Sequence, residues 1–159
     1  MEIIRYETPI ENVKNNPVIF LAGPTVRGNQ QHLISWRFEA IEIFKKYNFN
    51  GTLIIPEFTD KTESDKGRVE LPIWEDKGLT RADVILFWIP RTRELIGLNT
   101  NSEHGYWLAK DPNKLVYGRP DDAFRIQYND IMWNKVFNNT EPIYNDLEET
   151  IKAAINKCS

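Results

Sequence analysis

Cysteine is nearly absent: the 159 residues contain one, Cys158, close to the end. A single thiol excludes an internal disulfide and fits a reducing, cytoplasmic setting. Histidine is almost as scarce, with two, and no His/Cys cluster has metal-ligand spacing, so neither a metal nor a cofactor is expected. No Ser-His-Asp or Cys-His arrangement is evident either. Lys and Arg form no block and the formal net charge is -3, which argues against a nucleic-acid partner. No apolar run approaches the ~20 residues that would cross a bilayer. The opening "MEIIRYETPIENVKNN" is polar and acidic, without the pattern of a signal peptide, so no membrane partner is expected. Repeats, low-complexity tracts and linkers are missing too.

What is present reads as one globular domain over 1–159, with 41% hydrophobic and 27% charged residues. "PVIFLA" (17–22) is an unbroken apolar run closed by Gly23-Pro24, the pattern of a strand buried on both faces. Similar runs follow at 51–56, 83–89 and 114–118, with a weak fifth strand expected after 137. Helical patterning separates them at 32–47, 71–82, 100–110, 122–137 and 144–157. Buried strands alternating with helices imply a parallel sheet covered on both sides. The expectation is a small doubly wound α/β fold of strand order 2-1-3-4-5, counting from the strand at 17–22. Residues 1–16 are then an added edge or an arm.

In such sheets a ligand sits outside the carboxyl ends of the strands, where the strand order reverses. That crevice lies between the strands at 17–22 and 83–89, and it receives "LAGPTVRG" from the first and "WIPRTRELIGLNTNSEHGYW" after the other. The first loop offers close backbone approach at Gly23-Pro24 and a cation at Arg27. Arg37, Trp88 and Arg91 fall near the crevice by position. Glu103 has two readings. Thr100-x-x-Glu103 before an apolar run is the pattern of a capping box, in which Glu103 bends back to the Thr100 amide. At the mouth of a crevice, a carboxylate kept ionised by a helix N-terminus is instead a nucleophile for an anomeric carbon.

Five blocks in register, "IFLAGPTVR", "SWRFEA", "WEDKGLTRADVILFWIPR", "LNTNSEHGYW" and "YGRPDDA", span roughly 18–123. Together they resemble the nucleoside 2-deoxyribosyltransferases, and in particular their small deoxyribosyltransferase-like branch. The resemblance implies a flavodoxin-like fold and cleavage of the N-glycosidic bond of a 2'-deoxynucleoside, with transfer of the sugar to another base. Partners would be a nucleoside or nucleotide and a free base, in a homodimer or larger homo-oligomer. "EHGY" places the nucleophile on Glu103, "WED" places an acid that handles the base on Glu75, and Asp83 matches an aspartate that opens a strand. A tyrosine that orients the nucleophile corresponds here to Phe20, which has no hydroxyl. Tyr106 or Asn101 would have to take over that task, while Phe20, Trp88 and Tyr106 would shelter the base. An aspartate found upstream of the nucleophile is also missing, since "IGLNTN" carries no acid. Two other functions stay open: hydrolysis of a nucleoside 5'-monophosphate, and a nucleotide sensor without chemistry.

Overall fold

The computed structural model describes residues 1–27, 30, 32–60 and 70–158. A five-stranded, all-parallel sheet forms the centre. Its strands are β1 (Glu2–Ile4), β2 (Val18–Ala22), β3 (Thr52–Ile54), β4 (Val84–Trp88) and β5 (Leu115–Gly118), in the order β1-β3-β2-β4-β5. Helices α1 (Trp36–Lys46), α2 (Glu70–Arg81), α3 (Leu98–Lys110), α4 (Gln127–Phe137) and α5 (Leu147–Lys157) cover it.

Strand alternation sorts the core into two layers. Val18, Phe20 and Ala22 of β2 face α2, α3 and α4, packing with Ile85, Phe87, Leu79, Trp107 and Trp133. Ile19 and Leu21 face α1 and α5, packing with Phe44, Leu86, Trp88 and Ile151. β2 and β4 are buried at every position, as strands with helices on both faces must be. Their register pairs Phe20 with Ile85 and Ala22 with Phe87.

Four strands, β3-β2-β4-β5, follow the order read from the sequence, while the fifth lies at the opposite edge, within the 1–16 segment read as an added edge or arm. The segment after α4 makes only an isolated bridge between Gly118 and Tyr144. Residues 2–4 supply the extra strand instead, pairing Ile3 with Leu53 of β3. Three residues of modest apolarity mark an edge strand only once β3 presents a free ladder beside them. Helix starts follow local chemistry. The Ser35 hydroxyl accepts the Arg37 amide at 3.2 Å to begin α1, and Asp146 accepts the Glu149 amide at 3.0 Å to begin α5. Gly97, at φ 65°, turns the chain into α3 in a left-handed conformation that glycine adopts readily.

Candidate active site

A cleft of about 360 Å³ opens at the carboxyl ends of β2, β3 and β4. It lies over the β2–β4 boundary, where the chain has built one half of the sheet and starts the other. The loop after β2 contributes Gly23 and Thr25, the turn after β3 contributes Glu57 and Phe58, and the loop after β4 contributes 94–97. Two acids enter from the helices: Glu75 from α2 and Glu103 from α3. No group of three or more His, Cys, Asp or Glu able to hold a metal ion occurs among the described residues.

The capping box does not form. α3 begins at Leu98 after Gly97, with no side-chain cap, so Thr100 is already inside the helix and Glu103 lies in its second turn. From there Glu103 lines the cleft beside Glu75. Burial pushes the Glu103 carboxyl up to about 8. The charge of Glu75 and a hydrogen bond between the two acids add to the rise, and the Arg37 guanidinium opposes it. The expectation that the helix N-terminus keeps Glu103 ionised at neutral pH is thereby corrected. The terminal dipole acts within the first turn, whereas loss of water acts on the carboxyl directly. Burial and the neighbouring acid thereby favour the protonated form of Glu103. On the other side of Glu75, the Tyr6 hydroxyl donates to its Oε1. Burial, then the Glu75 charge, hold the Tyr6 phenol far above its ordinary range, so it stays a donor.

Beneath the first loop lies Arg37, only 1% exposed. Its guanidinium donates to the carbonyls of Leu21 (3.0 Å), Gly23 (2.9 Å) and Pro24 (3.3 Å), and to Glu57 Oε1 at 2.8 Å. Glu57 also accepts from the Ser35 hydroxyl at 2.6 Å and faces Arg5 at 4.0 Å. Each guanidinium nitrogen of this buried cation donates to protein, so it fixes the loop that shapes the cleft.

Of the residues singled out in the sequence, Glu75, Glu103, Gly23 and Arg27 meet at the cleft, with Arg27 exposed at its mouth. The others do not line it. Phe20 lies two residues short of the strand end, in the core, with its ring against Gly78 of α2. The Pro24 side chain packs on Gly97 while its carbonyl accepts from the Trp36 indole at 3.2 Å. Arg37 is the clamp just described. Asp83 stands at the amino end of β4 and accepts the Val18 amide at 2.8 Å; five strand residues, about 16 Å, separate it from the cleft end. Trp88 belongs to the core on the α1/α5 side. Arg91, 4% exposed, turns away to the Arg125 carbonyl at 3.1 Å and to Asn101, which it thereby occupies. Tyr106 is 53% exposed and lies against Trp107 and Lys110. Neither proposed stand-in for the missing hydroxyl is therefore at the cleft.

Among the lining residues that the sequence did not single out are Tyr6, Glu57 and Phe58. Glu57 and Phe58 follow the second apolar run (51–56) directly, so the rule that ligands sit beyond the carboxyl ends of strands already pointed to them. For Tyr6, in a short polar segment, no such signal exists.

No helix among the described residues is long and apolar enough to cross a membrane. A family model described as nucleoside 2-deoxyribosyltransferase like matches residues 16–122. The match takes in both acids of the pair and ends before α4; Tyr6 lies outside it. No curated protein matches the chain.

Proposed function

The chain belongs to the nucleoside 2-deoxyribosyltransferase-like family, and on that premise we propose that it cleaves the N-glycosidic bond of a 2'-deoxynucleoside and passes the sugar to another base. The observation that carries this reading is the Glu75–Glu103 pair, two acids side by side in a cleft large enough for a small molecule.

In the first half-reaction the proton on Glu103 passes to Glu75 and on to a ring nitrogen of the base. The C1'–N bond breaks with its electron pair on the departing base. The freed Glu103 carboxylate closes on C1' and forms a glycosyl ester through an oxocarbenium-like transition state. In the second half a new base attacks C1', Glu75 takes its proton, and the ester opens to restore Glu103. One shared proton thus serves both steps, and neither acid needs a separate source.

The cleft's charge favours a neutral nucleoside over its 5'-monophosphate. Among the described residues Glu57 is matched by Arg37 and Arg5, which leaves Glu94 and the Glu75–Glu103 pair in the lining against one arginine, Arg27, at the mouth. A phosphate would meet that field unfavourably. The monophosphate hydrolase is the second reading, supported by Arg27 alone. We assign the working form to a homodimer or larger assembly on the family resemblance.

The test is to trap the ester. A 2'-fluoro-arabinosyl nucleoside with a good leaving base slows both half-reactions, because fluorine destabilises their cationic transition states. The expected result is a mass gain of one fluorosugar on Glu103, discharged as a new nucleoside when free base is added. Discharge by water alone would favour a hydrolase. An adduct only from the nucleotide would make the monophosphate the substrate. Binding of both compounds without any adduct would overturn the enzymatic reading.

A further inference from the structure

We propose that Tyr6, carried into the cleft by the N-terminal edge strand, is a positioning residue whose hydroxyl decides how the Glu75–Glu103 pair holds its proton. The proposal rests on the reading of that pair as the reactive centre. Tyr6 comes to the cleft from the N-terminal segment and touches Glu75, the acid read as handling the base.

The hydroxyl donates to Glu75 Oε1, and the ring belongs to the cleft wall. Its placement is over-determined. The ring packs on Phe58 and Trp74, each with a centroid 4.9 Å away, the latter edge-on at 60°. The Trp74 indole in turn donates to the Thr8 carbonyl at 2.8 Å, tying α2 to the arm. Glu7 accepts the Thr59 amide at 2.6 Å, and β1 is laddered to β3 just before the tyrosine. A ring held on two faces and by its own backbone has little freedom to withdraw its hydroxyl.

The charged groups around it come from every neighbouring element: Glu75 from α2, Glu103 from α3, Arg37 from α1, and Arg5 with Glu57 from the arm and the turn after β3. Among them the phenol is the neutral donor. A donor on Glu75 favours the charged form of that carboxyl. The shared proton is thereby biased onto Glu103 in the resting cleft and must cross to Glu75 when a base arrives. Tyr6 thus keeps Glu75 the stronger acid of the two, so that the proton it receives passes on readily to the departing base.

The decisive variant is Tyr6→Phe, which keeps the ring between Phe58 and Trp74 and removes only the oxygen. Carbon-13 titration of the labelled glutamate carboxyls, assigned with Glu75→Gln and Glu103→Gln, reads the effect without substrate. The lower of the two titration steps of the pair should rise by about one pH unit. With a nucleoside substrate, kcat should fall about 10-fold while KM changes less than about 2-fold, and the acid limb of the rate profile should follow the titration. Incorporating 3,5-difluorotyrosine at position 6, a stronger donor, should move the step in the opposite direction, and this second variant decides the matter should Tyr6→Phe fold poorly. Unmoved carboxyl titrations in both variants would overturn the proposal, as would a Tyr6→Phe protein equal to wild type alongside an impaired Tyr6→Ala. Shifted titrations in a wild-type protein that cleaves no nucleoside would instead sink the transferase reading and leave the role of Tyr6 standing.

Discussion

Replacing Glu103 with Gln should make the protein more stable, and the gain should grow with pH. The folded-state value of Glu103 is raised from 4.5 to about 8, chiefly by burial. A raised value means that the folded protein binds this proton more tightly than the unfolded chain does. Below the unfolded value both states are protonated and the acid costs nothing. As pH rises toward 8 the unfolded chain loses the proton freely while the folded cleft must hold it or bury a charge, so stability falls across that window. The full shift corresponds to a loss of about 5 kcal/mol as an upper bound. Water at the open cleft mouth relaxes part of the penalty, and we expect the variant to gain about 2 kcal/mol near pH 8 and almost nothing near pH 4.5. For a chain of this size that is a rise in melting temperature of about 6 °C. Urea unfolding followed by the fluorescence of the five tryptophans, repeated across this pH range, measures it. The same variant should show no turnover. A gain that is flat with pH, or a loss at every pH, would refute the assignment of Glu103 as the proton-retaining member of the pair.

Three further outcomes are expected. Arg37→Ala should destabilise the protein by roughly 3 to 5 kcal/mol in chemical denaturation, because three carbonyls and Glu57 lose their buried partner; an effect below about 1 kcal/mol would mean that the loop holds itself. Gly105→Ala should raise stability by about 1 kcal/mol without changing turnover, since a methyl group there meets nothing within 4 Å on the exposed face of α3. Glu75→Gln should slow cleavage most for bases that leave poorly, and an equal slowing for every base would remove Glu75 from proton transfer.

The sheet was legible because unbroken apolar runs leave little choice: β2 and β4 have no face to expose. Glu75 and Glu103 were legible because blocks in register tie them to strand ends. Side-chain direction was not legible in the same way. Phe20 sits in the right strand but on the core layer beneath α2, and Asp83 sits on the right strand but at its far end. Tyr106 follows Glu103 by three residues on α3, yet its ring turns outward onto Lys110. Arg37 looked like a ligand-binding cation, and only the converging carbonyls around it reveal a clamp. Tyr6 was out of reach because its meaning depends on β1 joining β3, a contact between segments about 50 residues apart in sequence.

The edge strand therefore has a double tenancy. By pairing with β3 it covers a ladder that would otherwise invite another copy to dock edge to edge, and it delivers an oxygen to the acid pair. Clipping the first eight residues would cancel both in one cut, so insolubility and silence should arrive together rather than separately. A scaffold trimmed to the 16–122 span would carry both acids yet lack their tuning, a warning for anyone who grafts or shortens this domain by homology alone.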